Sequence, residues 1–217
     1  MTKDTPSEPA LAPRTRDAEA TKARILKAAL NEFARYGLAG ARVDTIAEKA
    51  KANKRMLYHY FGSKEELFQI ILENAYLDIR QAEQKLHLHE LDPVEALERL
   101  VRFTWEYYLK HPEFIRLVNS ENLHRGQHLR KSKLVSIFSR KLVEMVSGIL
   151  DRGVAQGVFR PGVDPVHLNL TIAAIGFYYL TNRYTGSIIF ERDLMDKAAL
   201  DERLAFNIDT ILRLVRA

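Results

Sequence analysis

The first third of the chain carries apolar residues at helical spacing. Ile25, Ala29 and Phe33 recur every four positions, which predicts an apolar stripe along one face of an amphipathic helix. Gly37 follows this stripe, and glycine readily takes the left-handed conformation that closes many helices. We therefore expect the first helix to end at Gly37.

Two shorter helices are predicted directly after it. Residues 43–50 place apolar side chains on one face, and residues 54–60 form a second short pattern. The connection at 51–53 is short, and Asn53 is a good N-cap for the helix that follows it. Three helices joined by so tight a turn are typical of a helix-turn-helix motif.

The rest of the chain also shows helical periodicity. Ser63 is expected to cap a long helix, and Pro93 and Pro112 to occupy the first turns of two more. The last two helices are predicted at 165–188 and 201–216, and alternation at period two never persists long enough to predict a strand. The predicted fold class is all-α, with an N-terminal three-helix helix-turn-helix domain followed by a larger helical domain.

The composition limits the chemistry available to the chain. None of the 217 residues is cysteine, which excludes a disulfide framework, a thiolate zinc site and cysteine catalysis. No stretch approaches the roughly 20 apolar residues that a membrane-spanning helix needs. We expect a soluble, cytoplasmic protein without a cofactor, a metal ion or a membrane partner.

The positive charge is concentrated near the N-terminus. Residues 17–64 carry ten basic and five acidic groups, and the net charge of the whole chain is +5. A basic module joined to a nearly neutral bulk predicts that one end contacts a polyanion, although charge alone does not separate nucleic acid from a membrane surface. With the prolines near the N-terminus, this predicts a flexible tail at 1–17, a helix-turn-helix domain at 18–64 and the larger domain at 65–217.

The second helix of the predicted motif has an unusual outer face. Leu57 and Phe61 are four residues apart and are expected to face the core. The residues then left on the outside are Lys54, Arg55, Met56, Tyr58 and Tyr60, although Tyr58 would also suit a partly buried position. Cations at the start of such a helix can enter a major groove and donate to guanine, and tyrosine hydroxyls can bind phosphate oxygens. A solvated basic face is the alternative that periodicity alone leaves open.

Two longer motifs in this region resemble a known family. Residues 43–50 read Val-Asp-Thr-Ile-Ala-Glu-Lys-Ala, and residues 57–67 read Leu-Tyr-His-Tyr-Phe-Gly-Ser-Lys-Glu-Glu-Leu. Together with the helix that carries Phe33 and ends at Gly37, they resemble the DNA-binding domain of TetR/AcrR-type transcriptional regulators. The resemblance implies a ligand-responsive regulator, most often a repressor, that binds a near-palindromic operator in double-stranded DNA as a homodimer and is released by a small molecule.

The family pattern assigns roles to individual positions. The start of the recognition helix would face bases, and the aromatic and basic positions around it would contact phosphates. The implied DNA-binding residues are Arg42, Asn53, Lys54, Arg55, Met56, Tyr58, Tyr60 and Lys64. Lys51 stands where the family commonly has glycine, which implies either a strained left-handed residue or a different turn. Asn53 and Met56 replace a common serine and threonine, so contacts from those hydroxyls cannot be carried over.

The larger domain resembles the family only in layout. There this domain dimerises through its last two long helices and holds a small-molecule pocket among the middle ones. The implied dimer interface is an apolar stripe at Leu168, Ile172, Ile175, Gly176, Tyr179, Ile208 and Leu212. The implied pocket for an unidentified effector comprises Trp105, Tyr108, Glu121, Asn122, Phe138, Tyr178 and Asn182. Each pocket residue would also suit an ordinary core or surface, and a monomer with a large core is the alternative to the dimer.

Other functional classes have little support in the sequence. It contains no Gly-x-Ser-x-Gly elbow, no phosphate-binding glycine loop and no His-Glu-x-x-His helix, so an enzyme is not expected. His124 and His128 are four residues apart, but Gly126 lies between them, and a solvated pair is expected rather than a metal site. A small helical enzyme and a purely architectural DNA-binding protein are the rival classes.

Overall fold

The computed structural model describes residues 13–217, with side chains from residue 17 onward. Residues 1–12 of the predicted tail lie outside this range, and residues 13–17 begin the first helix. The helices are α1 (Pro13–Gly40), α2 (Val43–Lys49), α3 (Lys54–Phe61), α4 (Lys64–Gln84), α5 (Pro93–Lys110), α6 (Pro112–Leu123), α7 (Lys133–Ala155), α8 (Pro165–Thr181), α9 (Arg183–Ile189) and α10 (Lys197–Val215). The predicted all-α fold is confirmed over the described residues, in which the only β-type pairing is an isolated bridge between Phe159 and Arg216.

The chain divides into two compact units between Ile71 and Leu72. In the N-terminal unit, α1, α2 and α3 pack around a core of fully buried side chains. Phe33 of α1 meets Phe68 of α4 edge to face, with ring centroids 5.2 Å apart. The predicted apolar stripe of α1 therefore lies inside this core.

Gly37 interrupts α1, as the sequence predicts. Its backbone has φ 65° and ψ 179°, a conformation that a residue with a Cβ rarely adopts. One further helical turn follows and ends at Gly40. The chain therefore leaves the helical conformation at the predicted residue and resumes it for one turn before α1 ends.

A reciprocal cap begins α4. Ser63 Oγ accepts a hydrogen bond from the backbone N–H of Glu66 at 3.1 Å, and Glu66 Oε2 accepts one from the backbone N–H of Ser63 at 2.7 Å. The predicted cap at Ser63 is thereby confirmed. The helix then runs without interruption from Lys64 to Gln84, across the division between the two units.

The C-terminal unit is organised around α5, α7, α8 and α10. Their inward faces form one apolar core, whose members include Leu97, Leu100, Val146, Ile149, Leu168, Ile172, Ile211 and Val215. A second cluster, rich in aromatic side chains, comprises Ile79, Trp105, Tyr107, Tyr108, Phe114, Ile115 and Leu180. The predicted starts at Pro93 and Pro112 are confirmed, since each proline occupies the first turn of its helix.

The helix predicted at 165–188 is two helices. The α8 helix ends at Thr181, and Asn182 takes a non-helical conformation before α9 begins. The side-chain amide of Asn182 donates to the carbonyl of Tyr178 at 2.9 Å, a local bond that competes with helix continuation. Periodicity alone did not show this break because apolar residues continue at helical spacing on both sides of it.

Gly153 of α7 allows an aromatic ring to lie against the helix backbone. A Cβ at this position would overlap the ring of Phe159, which is 2% exposed. The backbone N–H of Phe159 donates to the carbonyl of Gly153, and that of Arg160 donates to the carbonyl of Val215 at 2.8 Å. These bonds tie the segment after α7 to the end of α10.

We expect Gly153→Ala to destabilise the protein by about 1–3 kcal/mol, because the buried ring of Phe159 must move to admit the methyl group. Urea denaturation of the purified variant measures this change. Gly148→Ala on the same helix is the matched control, because its Cβ would meet only Arg152 Nη1, at 3.9 Å. Alanine there should be neutral or stabilise by up to about 1 kcal/mol. Equal losses in both variants would contradict the role assigned to Phe159.

Candidate functional site

The recognition helix α3 is held by two buried side chains. Leu57 is fully buried and Phe61 is 9% exposed, and both face the core of the N-terminal unit. The opposite face is left to solvent, where Lys54, Arg55 and Tyr58 are exposed. The predicted core face is confirmed, whereas the predicted outer face is confirmed only in part, because Met56 and Tyr60 are half-buried.

The turn before α3 presents the N-terminus of the helix to solvent. Asn53 Oδ1 accepts a hydrogen bond from the backbone N–H of Met56 at 2.8 Å, as expected of an N-cap. Lys51 has φ 51°, the left-handed conformation that glycine would adopt without a steric penalty. Of the two alternatives for Lys51, the structure shows the left-handed residue.

The two cations at the start of α3 differ in their partners. Lys54 Nζ lies 2.9 Å from Asp44 Oδ1, and this hydrogen bond raises the pKa of Lys54. Both side chains are at least half exposed, so the pair contributes little stability and can open. Arg55 is exposed, and its guanidinium forms no ion pair or hydrogen bond with the described part of the chain. Its five donors are therefore available to an external acceptor.

Further polar groups surround this helix. Lys64 Nζ lies 3.4 Å from the carbonyl oxygen of Ala39, and the ammonium of Lys22 lies 5.5 Å from the ring centroid of Tyr60. Arg42 occupies the N-cap position of α2 and is exposed. These groups and α3 belong to the same compact unit, as a surface that follows a DNA backbone requires.

A buried carboxylate positions the first helix of the motif. Glu32 is 2% exposed, and its Oε2 lies 2.9 Å from Lys49 Nζ. Its Oε1 accepts a hydrogen bond from the backbone N–H of Arg42 at 3.4 Å. The two contacts connect α1 to both ends of α2. Sequence reasoning missed Glu32, because an acidic residue on a helix next to an apolar stripe resembles any solvated residue.

The C-terminal unit contains a cavity of about 400 Å³ between the last turns of α4 and the α7 helix. Its apolar lining comprises Leu88, Phe138, Leu142, Met145 and Ile149. Its charged lining comprises Arg80, Glu83, Lys141, Glu144 and Arg152. A cavity of this size with a few polar groups among apolar walls is suited to a small organic molecule.

The two charged residues that α4 contributes form an ion pair. Arg80 Nη2 lies 3.0 Å from Glu83 Oε1, and both side chains are largely buried. Burial raises the pKa of Glu83 to about 7, and the nearby Arg80 opposes this shift. The Nε–H of Arg80 is buried and has no hydrogen-bond partner in the described part of the chain. An unused buried donor of this kind is costly and calls for an explanation.

Two family models match the chain. Residues 25–71 match the model described as bacterial regulatory proteins, tetR family, and residues 93–211 match the model described as tetracyclin repressor-like, C-terminal domain. The chain belongs to the TetR family of transcriptional regulators. This membership makes it a DNA-binding regulator and not an enzyme, and the predicted resemblance is confirmed.

Individual relatives agree with this assignment. The transcriptional repressor NicS of Pseudomonas putida is 43% identical over 203 residues, which cover 94% of this chain and 96% of NicS. The transcriptional regulator RutR of Escherichia coli K12 is 33% identical over 166 residues, which cover 76% of each chain. Among solved structures, the regulator SCO4942 of Streptomyces coelicolor is 25% identical with a TM-score of 0.66, covering 90% of this chain and 98% of that one. Within residues 13–217, no helix has the length and apolar character needed to cross a bilayer.

The residues predicted for a ligand pocket do not share one cavity in this TetR-family chain. Phe138 lines the cavity described above, whereas Trp105 and Tyr108 are buried in the aromatic cluster. Tyr178 is 71% exposed, and Asn182 bonds to its carbonyl. The sequence pattern placed apolar residues with polar ends on helices, but it did not show which helix faces meet.

Glu121 and Asn122 have local structural roles. Asn122 is exposed, and its amide donates to the carbonyl of Val118. Glu121 is 3% exposed, and its Oε1 accepts hydrogen bonds from the backbone N–H groups of His128 (2.8 Å) and Leu129 (3.0 Å). Its Oε2 lies 2.6 Å from His128 Nδ1, and His128 is only 4% exposed, so the prediction of a solvated His124–His128 pair is wrong. The carboxylate thus orders the loop after α6, and the described residues contain no cluster suited to a metal ion.

The residues predicted for the dimer interface lie mostly inside the protomer. Leu168, Ile172, Gly176 and Leu212 are buried in it, and Ile175 and Ile208 pack against its core. The ring of Tyr179 meets that of Trp105 at 5.5 Å, and its hydroxyl donates to the carbonyl of Leu194. At Gly176 a Cβ would lie 3.4 Å from Tyr108, in ordinary van der Waals contact, so this position faces α5 of the same chain. An apolar stripe shows which residues share a face, but not whether that face meets the same chain or another.

The opposite face of α8 is apolar and exposed. Exposed apolar side chains occur on this face at intervals of four residues. They are Val166 (46% exposed), Leu170 (58%), Ala174 and Tyr178 (71%). We refer to these four residues as the outer stripe of α8. Phe206 of α10 is also 61% exposed. A helix with one apolar face in the core and another in solvent is typical of a subunit interface.

We expect Glu83→Gln to change how stability depends on pH. Because the pKa of Glu83 in the folded chain (about 7) exceeds its unfolded value near 4.5, the wild type should lose stability as pH rises from about 4.5 to 7. Relative to the variant, this loss should be on the order of 2 kcal/mol. Urea denaturation at pH 5 and pH 7.5 measures it. Glu144→Gln, an exposed carboxylate of the same cavity, is the control, and an equal change in both variants would contradict the burial effect.

Proposed function

We propose that this TetR-family regulator is a repressor that binds a near-palindromic operator as a homodimer and is released by a small organic effector. The observation that carries the proposal is the exposed N-terminal end of α3, where Arg55 has no partner in the described chain and Lys54 has only an exposed one. The similarity to NicS, a repressor that matches 94% of this chain, supports repression rather than activation.

The geometry of α3 divides the contacts to DNA into two classes. Arg55 and Lys54 lie in the first turn, where side chains of a recognition helix reach base edges in the major groove. A guanidinium can donate two hydrogen bonds to one guanine, so Arg55 should contribute more to sequence specificity than Lys54. Tyr58, Tyr60 and Lys64 lie further along the chain and suit phosphate contacts, which position the protein without selecting a sequence.

The outer stripe of α8 supports dimerisation. Large apolar side chains on one exposed stripe cost free energy in water, and a two-fold contact between copies of α8 and α10 would bury them. A dimer presents two equivalent recognition helices, which requires an operator with two half-sites about 34–36 Å apart or somewhat more. This face replaces the buried stripe as the proposed interface.

The cavity supports control by a small molecule. Arg80 and Glu83 lie on α4, the same uninterrupted helix that begins at Lys64 beside the recognition helix. Such a protein has one conformation that binds DNA and another that does not. A ligand releases the protein from DNA only if its affinity for the second conformation is higher than its affinity for the first. A coupling free energy of about 1–3 kcal/mol would lower operator affinity about 5- to 150-fold.

We expect Arg55→Ala to weaken operator binding by about 1–3 kcal/mol and to relax the preference at one base pair. Lys64→Ala should instead weaken operator and random DNA alike and reduce the slope of log affinity against log salt by about one. Fluorescence anisotropy with a near-palindrome, selected from a random library by the purified protein, measures both effects.

Lys197→Ala is the matched control for these two variants, because it removes an exposed cation from the C-terminal unit. It should leave affinity and salt slope unchanged. If Arg55→Ala and Lys64→Ala reduce operator and random DNA binding equally, the division into base and phosphate contacts is wrong.

We expect Leu170→Arg to convert the dimer to a monomer, because a charge would be buried without a partner in the interface. The cost should be on the order of 3 kcal/mol, or about 100-fold in the dimer dissociation constant. Light scattering and analytical ultracentrifugation measure the change. Leu123→Arg is the control, since Leu123 is 85% exposed and lies outside the outer stripe. A folded Leu170→Arg variant that stays dimeric would place the interface elsewhere.

A further inference from the structure

The polar lining of the cavity contains more donors than acceptors. The lining contains three cationic side chains, Arg80, Lys141 and Arg152, and two carboxylates, Glu83 and Glu144. Arg152 is occupied by the chain itself, because its guanidinium donates to the carbonyls of Gly148 (3.2 Å) and Leu88 (2.9 Å). This leaves Arg80 as the largely buried cation that is not used by the backbone.

Arg80 is incompletely satisfied by its partner. One of its terminal nitrogens faces Glu83 at 3.0 Å, while its Nε–H has no acceptor among the described residues. A carboxylate can accept two parallel hydrogen bonds from the terminal N–H groups of one guanidinium. The Nε–H is shielded from the cavity, whereas the terminal N–H groups are not among the shielded donors, so an acceptor in the cavity would meet these groups, and a negatively charged one would bind most strongly.

We propose that the cavity binds a small organic acid whose carboxylate is held by Arg80 and whose apolar body lies against Phe138, Leu142 and Met145. The proposal rests on the effector role proposed above for this cavity. It names the chemical class of the effector, which is an anion with an apolar body rather than a cation or a neutral molecule.

The binding of an anion at Arg80 has a consequence for Glu83. Two carboxylates would then share one guanidinium, and like charges at short distance favour protonation of the more buried one. Glu83 is 4% exposed, and burial already raises its pKa to about 7. The acid should therefore bind together with a proton, which Glu83 takes up.

Other titratable and charged groups also surround Glu83, and the Glu83→Gln variant below separates its proton from theirs. On α4 they are Arg80 and Gln84, and on the turn before α5 the exposed His89. On α5, burial raises the pKa of Tyr108 to about 12. On α7 they are Lys141, Glu144 and Arg152, of which the acidic Glu144 is exposed. Affinity for the acid should thus be highest below about pH 7 and should fall as pH rises above it.

The test uses three acids, each paired with its neutral amide: benzoate and benzamide, 2-naphthoate and 2-naphthamide, octanoate and octanamide. Isothermal titration of the full chain at pH 6 and pH 8, in two buffers of different ionisation enthalpy, gives affinity and proton uptake. For at least one pair, the affinity for the acid should exceed the affinity for its amide by about tenfold or more. The affinity for that acid should be about fivefold or more higher at pH 6 than at pH 8. Binding should be accompanied by the uptake of up to one proton by the protein.

Variants assign the effect to residues. Arg80→Gln should abolish the preference for acid over amide. Glu83→Gln mimics the protonated carboxyl, so it should bind the acid at pH 8 as tightly as the wild type does at pH 6 and should lose the pH dependence. This gain of affinity cannot arise from misfolding, so it keeps the test valid if Arg80→Gln fails to fold. Glu144→Gln is the matched control and should keep the pH dependence of the wild type.

Several results would overturn the proposal. These are no binding by any of the three acids, equal binding of acids and amides, a pH dependence that survives in Glu83→Gln, or loss of the preference in Lys141→Gln instead of Arg80→Gln. Operator affinity measured in parallel separates this proposal from the proposed function. An acid that binds through Arg80 but leaves DNA affinity unchanged contradicts the effector role and not the ligand class.

Discussion

The burial of Leu57 and Phe61 is the interaction on which the DNA-binding surface depends. A helix of eight residues is not stable alone in water, because its nucleation cost exceeds what so few hydrogen bonds return. Packing of these two side chains into the N-terminal unit holds α3 in place, and the Asn53 cap sets where it begins. This anchoring also explains why Arg55 is exposed, because the face of α3 opposite Leu57 and Phe61 must point to solvent.

The two buried carboxylates Glu32 and Glu83 have different environments and different roles. Glu32 accepts from Lys49 and from the backbone N–H of Arg42, so its charge is compensated and it fixes the geometry of α2. Glu83 has one cation beside it, is deeply buried and has its pKa raised to about 7. A well-compensated carboxylate contributes to structure, whereas a poorly compensated one beside a cavity is a candidate for ligand-linked protonation.

Helix α8 connects the protomer core to the proposed dimer interface. Leu168 and Ile172 face the core, and Leu170 and Tyr178 lie on the exposed side of the same helix. The apolar character of α8 on all sides thus has two separate causes. Folding of the protomer accounts for one face, and the proposed association of two copies accounts for the other.

The amino-acid pattern alone was enough to predict the helix-turn-helix motif, the caps at Asn53 and Ser63, the break at Gly37 and the family. These features depend on contacts within a few residues or on a specific motif, both of which are visible along a chain. Three other features became visible only in the folded chain: the Leu168 stripe is internal, Asn182 separates α8 from α9, and Arg80 and Glu83 border a cavity with α7. Periodicity groups residues into faces, but the partner of each face depends on the packing of distant segments, which no local pattern encodes.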